Sequence, residues 1–115
     1  METKETPTIV MQEKVKADFE KWKCHNYNTK WCTEFDRMPF DFQSGVITAY
    51  LRDNGVETWV FPWPYKTGVY VPEVCNNGKM VFIESNGRKL NYVAALTSAI
   101  NEGLRIVEEQ LKDKP

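Results

Sequence analysis

Residues 56–84 read VETWVFPWPYKTGVYVPEVCNNGKMVFIE, and this stretch decides the fold. Glu57, Trp59, Phe61 and Trp63 alternate with Val56, Thr58, Val60 and Pro62, the period of two that a strand with one buried face requires. Pro62 and Pro64 have no N–H to give a ladder, so this strand is either an edge or ends there. Tyr65-Lys66-Thr67-Gly68 supplies a turn, residues 69–75 a second strand, Asn76-Asn77-Gly78 a tight hairpin, and residues 79–84 a third strand. The product is a three-stranded antiparallel meander.

Upstream of it, residues 39–53 carry Phe42, Val46, Ile47, Ala49, Tyr50 and Leu51 on one helical face, and Asn54-Gly55 is the pair suited to a left-handed C-cap. Downstream, Ser85-Asn86-Gly87-Arg88 is a turn. From Leu90 a long helix follows, its apolar series Val93, Leu96, Ile100, Leu104, Val107 and Leu111 stepping by three or four residues. Gly103 is its weak interior position, at about 1 kcal/mol relative to alanine. Near the start, residues 1–5 read as a disordered polar tail, and Thr6-Pro7 as an N-cap with proline at the first helical position. An amphipathic helix follows, with Met11, Val15, Phe19 and Trp22 on the apolar stripe and Lys14, Lys16, Glu20, Lys21 and Lys23 facing water. Residues 26–39 are a connector pinned by Tyr27, Trp31, Phe35 and Met38.

The expected fold is therefore α+β, a single domain over residues 6–115. A three-stranded antiparallel meander packs against two helices in the order αβββα, with the amphipathic helix added at the N-terminus. Val46, Tyr50, Leu96, Ile100, Leu104 and Val107 cover one sheet face, and the other is left open. The composition agrees: 115 residues, 42% hydrophobic and 27% charged, give a chain able to bury a core.

With 15 Lys and Arg against 16 Asp and Glu, the chain does not advertise a polyanion partner. The first residues are acidic rather than apolar and no long apolar run follows, so a cytoplasmic location and no membrane contact are expected. Cys24, Cys32 and Cys75 are three and irregularly spaced, which favours reduced thiols over a disulfide framework.

Chemistry-bearing residues are sparse. Cys24, His25 and Cys32 lack the paired two-to-four-residue spacing of structural zinc sites, so no metal or cofactor is expected. His25 is the single histidine and sits beside Cys24 without a nucleophile elbow. Glu34, Asp36 and Asp41 read as a solvated acidic connector. In Phe61-Pro62-Trp63-Pro64-Tyr65, aromatics at alternate strand positions are expected in the core, Trp59 among them. Trp63 and Tyr65, nearest the turn, form the exposed pair available to a partner.

The helix, three strands and helix over residues 39–111, with Gly87-Arg88-Lys89 leading into a helix containing Ala94, Ala95 and Ala99, resemble the double-stranded RNA-binding fold. That resemblance implies contacts to 2′-hydroxyls and phosphates, with basic residues at the start of the last helix on the phosphates. Arg88 and Lys89 stand at that place, whereas Asn91-Tyr92-Val93 departs from the pattern. The run Met38-Pro39-Phe40-Asp41-Phe42-Gln43-Ser44-Gly45-Val46, followed by the aromatic meander, also resembles uncharacterised small proteins carried by bacteria and bacteriophages, which implies no mechanism.

Three functions follow, in this order. The first is a non-enzymatic binding or accessory module that contacts another protein, with Trp63 and Tyr65 as candidate contacts and a second copy of the chain as a further candidate partner. The second is a duplex-RNA binder using Lys66, Lys79, Arg88 and Lys89. The third is an enzyme of unidentified class.

Overall fold

The computed structural model describes residues 8–83 and 91–114. The elements are α1 (Glu13–Asn26), α2 (Thr29–Glu34), a 3-10 turn (Phe35–Arg37), α3 (Phe40–Asp53), β1 (Val56–Pro62), β2 (Tyr70–Asn76), β3 (Lys79–Ile83) and α4 (Tyr92–Lys112). The three strands form one antiparallel sheet in the order β1-β2-β3, so the αβββα arrangement with an added N-terminal helix is what the chain adopts. No described helix is long and apolar enough to cross a membrane.

Turn chemistry sets the strand order. Gly55, at φ +81°, follows α3, and its carbonyl accepts the Asn77 N–H at 2.8 Å, which ties the start of β1 to the far hairpin. Asn77 and Gly78 both have positive φ, 53° and 83°, the backbone that a two-residue hairpin needs to match strand twist. β1 is an edge strand and ends at Pro62, whose missing N–H lies on the free edge and not in the ladder to β2. β2 carries Pro72 in its middle, and among the described residues its ladder to β3 runs from Asn76 opposite Lys79 to Glu73 opposite Ile83. Opposite Val74 and Cys75 the β3 register slips by one residue, leaving Val81 as a bulge between Met80 and Phe82.

α4 lies across β1 and β2, α3 lies alongside it against β1, and α1 packs on α3 and α4. Val56 and Val74 of the inner sheet face meet Tyr50, Leu51, Ile100, Leu104 and Val107 in one buried cluster that includes Val15 and Phe19 of α1. Close approach of α4 is permitted by Gly103, where an added Cβ would stand 2.8 Å from Leu51 Cδ1 and 3.2 Å from Val56 Cγ1. The residue that costs helix propensity is the one that lets helix and sheet touch.

Three expectations need correction. First, the N-terminal helix begins at Glu13, not after Thr6-Pro7; those two residues and the tail at 1–5 lie outside the described residues. Asn101 holds residues 8–12 as a non-helical strap, accepting from Val10 N–H at 2.8 Å and donating to the Thr8 carbonyl at 2.9 Å. Gln12 gives the helix no side-chain cap, and the Glu108 carboxylate of α4 accepts the Val15 N–H at 2.8 Å in its stead. A carboxylate at an α-helix N-terminus satisfies an orphan donor and meets the positive end of the dipole. Second, Lys23 does not face water: it is 3% exposed, its ammonium 4.3 Å from the Phe35 ring centroid and 3.0 Å from Glu20. Third, the connector at 26–39 is more regular than expected. Asn28 caps α2 by accepting the Trp31 N–H at 3.0 Å, and Gln43 donates to the carbonyls of Phe35 and Met38.

Candidate functional site

The sheet face turned away from the helices carries large apolar side chains with carboxylates among them. On β1 and β2 it presents the cross-strand pairs Glu57 with Cys75, Trp59 with Glu73, and Phe61 with Val71. Met80 and Val81 of β3 add exposed aliphatic surface. Antiparallel sheets with one solvated face ordinarily place polar side chains there. Here Trp59, Phe61, Met80 and Val81 occupy it, and Glu57 and Glu73 supply negative charge.

This corrects the reading of the aromatic strand. Trp59 is not core: it is 47% exposed, against 44% for Trp63. The pleat does alternate as expected, but the set that enters the core is Val56, with Thr58 and Val60 half-buried, and the aromatic set looks outward. Both sets are apolar enough to be buried, so period alone does not choose between them.

The face continues into the β1–β2 loop. Trp63 and Tyr65 pack edge to face with centroids 5.3 Å apart, and Tyr65 is 83% exposed. The loop curls around a concavity of about 360 Å³ lined by these two rings and Lys66. It is closed by a 2.7 Å bond from Trp63 N–H to the Val69 carbonyl. The loop thus brings Trp63 and Tyr65, the expected exposed pair, together with Lys66. Lys79 is not with them: it pairs with Asn76 at the opposite end of the sheet, about 20 Å away over six strand residues. Arg88 and Lys89 lie outside the described residues.

Cys24, Cys32 and Cys75 are free thiols. Burial, then the neighbouring Cys24 thiol, raises the Cys32 pKa. Burial, then the charges of Glu73 and Glu57, raises that of Cys75, which keeps it protonated at neutral pH and weak as a nucleophile. His25 is exposed at the end of α1, while Cys75 sits on β2. Among the described residues no three His, Cys, Asp or Glu side chains converge on a point that would hold a metal ion.

A second feature escaped the sequence. Along the outer edge of β1 runs a groove of about 530 Å³, walled by Thr58, Trp59 and Val60, floored by α3 at Ser44, Gly45 and Thr48, and closed at one end by Tyr92 and Leu96 of α4. In the sequence only the apolar face of α3 stood out, and the small residues at 44, 45 and 48 gain a role only because α3 borders a strand edge. The fold and these surfaces define an α+β domain with an open aromatic sheet face. The chain matches no protein-family model, no curated protein and no solved structure.

Proposed function

We propose that the protein is a non-enzymatic binding module that acts through protein–protein contacts, with the open sheet face as its contact surface. The observation that carries this reading is the exposure of Trp59 and Phe61 on β1 and of Met80 and Val81 on β3, flanking β2, in a sheet whose solvated side ordinarily carries polar groups. Rigid aromatics on a strand supply large contact area at low entropic cost. Glu57 and Glu73 within the same face favour a partner that combines apolar side chains with lysine or arginine, and disfavour a phosphate backbone.

The test is capture from cells that carry the protein, with a photo-crosslinking residue at position 61. One protein partner is expected. It should be lost from a Trp59→Ser, Glu73→Lys variant and retained by a Lys66→Glu, Lys79→Glu variant. Duplex RNA is the rival, because the αβββα order resembles an RNA-binding fold. Binding of duplex RNA at physiological salt that disappears in the lysine variant overturns the protein-contact reading.

A further inference from the structure

The two edges of the sheet are built differently. β3 opens with Lys79 and is broken by the bulge at Val81, two devices that keep an edge from pairing with another chain. β1 has neither. It is seven residues long, pairs with β2 in unbroken register, contains no lysine or arginine, and has proline only at its last position.

The hydrogen bonds at its two ends fix which backbone groups face outward. Gly55 accepts from Asn77, and Trp63 donates to Val69, so residues 55, 57, 59, 61 and 63 turn their polar groups toward β2. Val56, Thr58 and Val60 therefore turn theirs to the free edge, and among the described residues none of these groups has a backbone partner across it. Thr58 and Val60 wall the groove described above, and a Cβ built on Gly45 in its floor would meet nothing within 4 Å. An exposed glycine in mid-helix costs propensity without serving any contact inside the chain.

We propose that β1 pairs antiparallel with β1 of a second copy, giving a two-fold dimer with one six-stranded sheet. A two-fold centred on Trp59 sets Thr58 of one copy opposite Val60 of the other, twice. The outward N–H and C=O groups of all four residues are then satisfied. Pro62, which lacks a donor, falls at the ends of this ladder. The Trp59 side chains meet on the open face as a non-hydrogen-bonded pair, with Cβ atoms about 5 Å apart.

Charge supports a second copy over a foreign strand. Asp41 and Arg52 line opposite ends of the groove. Their midpoint lies about 11 Å up α3 from Asn54 at 1.5 Å per residue. Trp59 lies about 13 Å up β1 from Gly55 at 3.3 Å per residue. The same two-fold thus carries each Asp41 toward the Arg52 of the other copy. Pairing β1 with β3 instead would be head to tail and would not close, and the bulge and lysine on β3 oppose it.

Sedimentation equilibrium on the full chain tests this. The expected species is twice the 13.4 kDa chain mass, dissociating on dilution. Thr58→Pro removes an outward donor and leaves the ladder to β2 intact, and Gly45→Arg fills the groove from another element. Each should weaken dimerisation at least tenfold, with far-UV circular dichroism unchanged. Two independent sites keep the test decisive if one variant fails to fold. A wild type that stays at the mass of one chain at every concentration overturns the pairing, as does a dimer that survives in the folded variants. Amide shifts at Thr58 and Val60 induced in a monomer by an added extended peptide would assign the groove to a foreign strand and overturn it too.

Discussion

The two faces of the sheet are made from similarly hydrophobic residues, yet one is sealed and the other is half open to solvent. The sealed face uses Val56, Pro72 and Val74, compact residues that fit under a helix brought close by Gly103. The open face uses Trp59, Phe61 and Met80, which would hold α4 off the sheet if the pleat were reversed. The comparison teaches that side-chain volume, set against the approach distance of the helices, decides which half of an alternating strand is buried.

The largest expected effect lies under the sealed face. Ile100→Ala leaves a cavity where Ile100 is fully buried, and should cost about 2–5 kcal/mol in urea denaturation. A loss below about 1 kcal/mol would show that the helix layer is loosely packed and that the contrast between the faces is weaker than described. Next is Glu108→Ala, which leaves the Val15 N–H without its buried acceptor and should cost about 1–3 kcal/mol.

Tyr50 tests the same side by pH. Its hydroxyl donates to Asp18 at 2.7 Å, and burial first, then Asp18, pushes its pKa well above the ordinary value of about 10. The folded state therefore binds the Tyr50 proton more tightly than the unfolded chain. Its stabilising contribution is full below pH 10 and is lost as pH rises above it. Thermal melts of wild type should fall in this alkaline range, and Tyr50→Phe should flatten the slope while costing about 1 kcal/mol at neutral pH.

The two helix glycines sharpen the comparison, because the same substitution should change sign between them. Gly45→Ala adds a methyl in open space and should stabilise by about 1 kcal/mol, as helix propensity dictates. Gly103→Ala gains the same propensity but presses on Leu51 and Val56, and should be net destabilising. Equal gains at both sites would mean that α4 does not need its close approach. The smallest effects belong to the open face: Trp59→Ala and Trp63→Ala should each cost less than about 1 kcal/mol, with similar values for the two. A loss of about 3–5 kcal/mol at Trp59 alone would place it in the core.

Much of the architecture was legible. Asn54-Gly55 and Asn77-Gly78 marked the turns, Pro62 marked β1 as an edge strand, and the series from Leu96 to Val107 marked the helix under the sheet. Each of these is a local signal, carried by backbone freedom, a missing donor or a repeat of three and four. The site was less legible. Trp63 and Tyr65, two apart in the chain, were read as an exposed pair and do pack together beside Lys66, whereas Lys79, joined to Lys66 by charge alone, lies at the other end of the sheet. The start of α1 was misplaced because Asn101 and Glu108, about 90 residues away, hold the strap and cap the helix.

By itself the sequence determined the α+β class, the order of elements and the meander, since periodicity and turn residues act over a few positions. Only the tertiary structure decided which face of the meander is open, that Lys23 and Glu108 are buried, and that the bare edge of β1 borders a groove. Those outcomes depend on which residues distant in the chain come within a few ångströms of one another. Volume, charge pairing and strand edges acquire consequences only when that packing is complete.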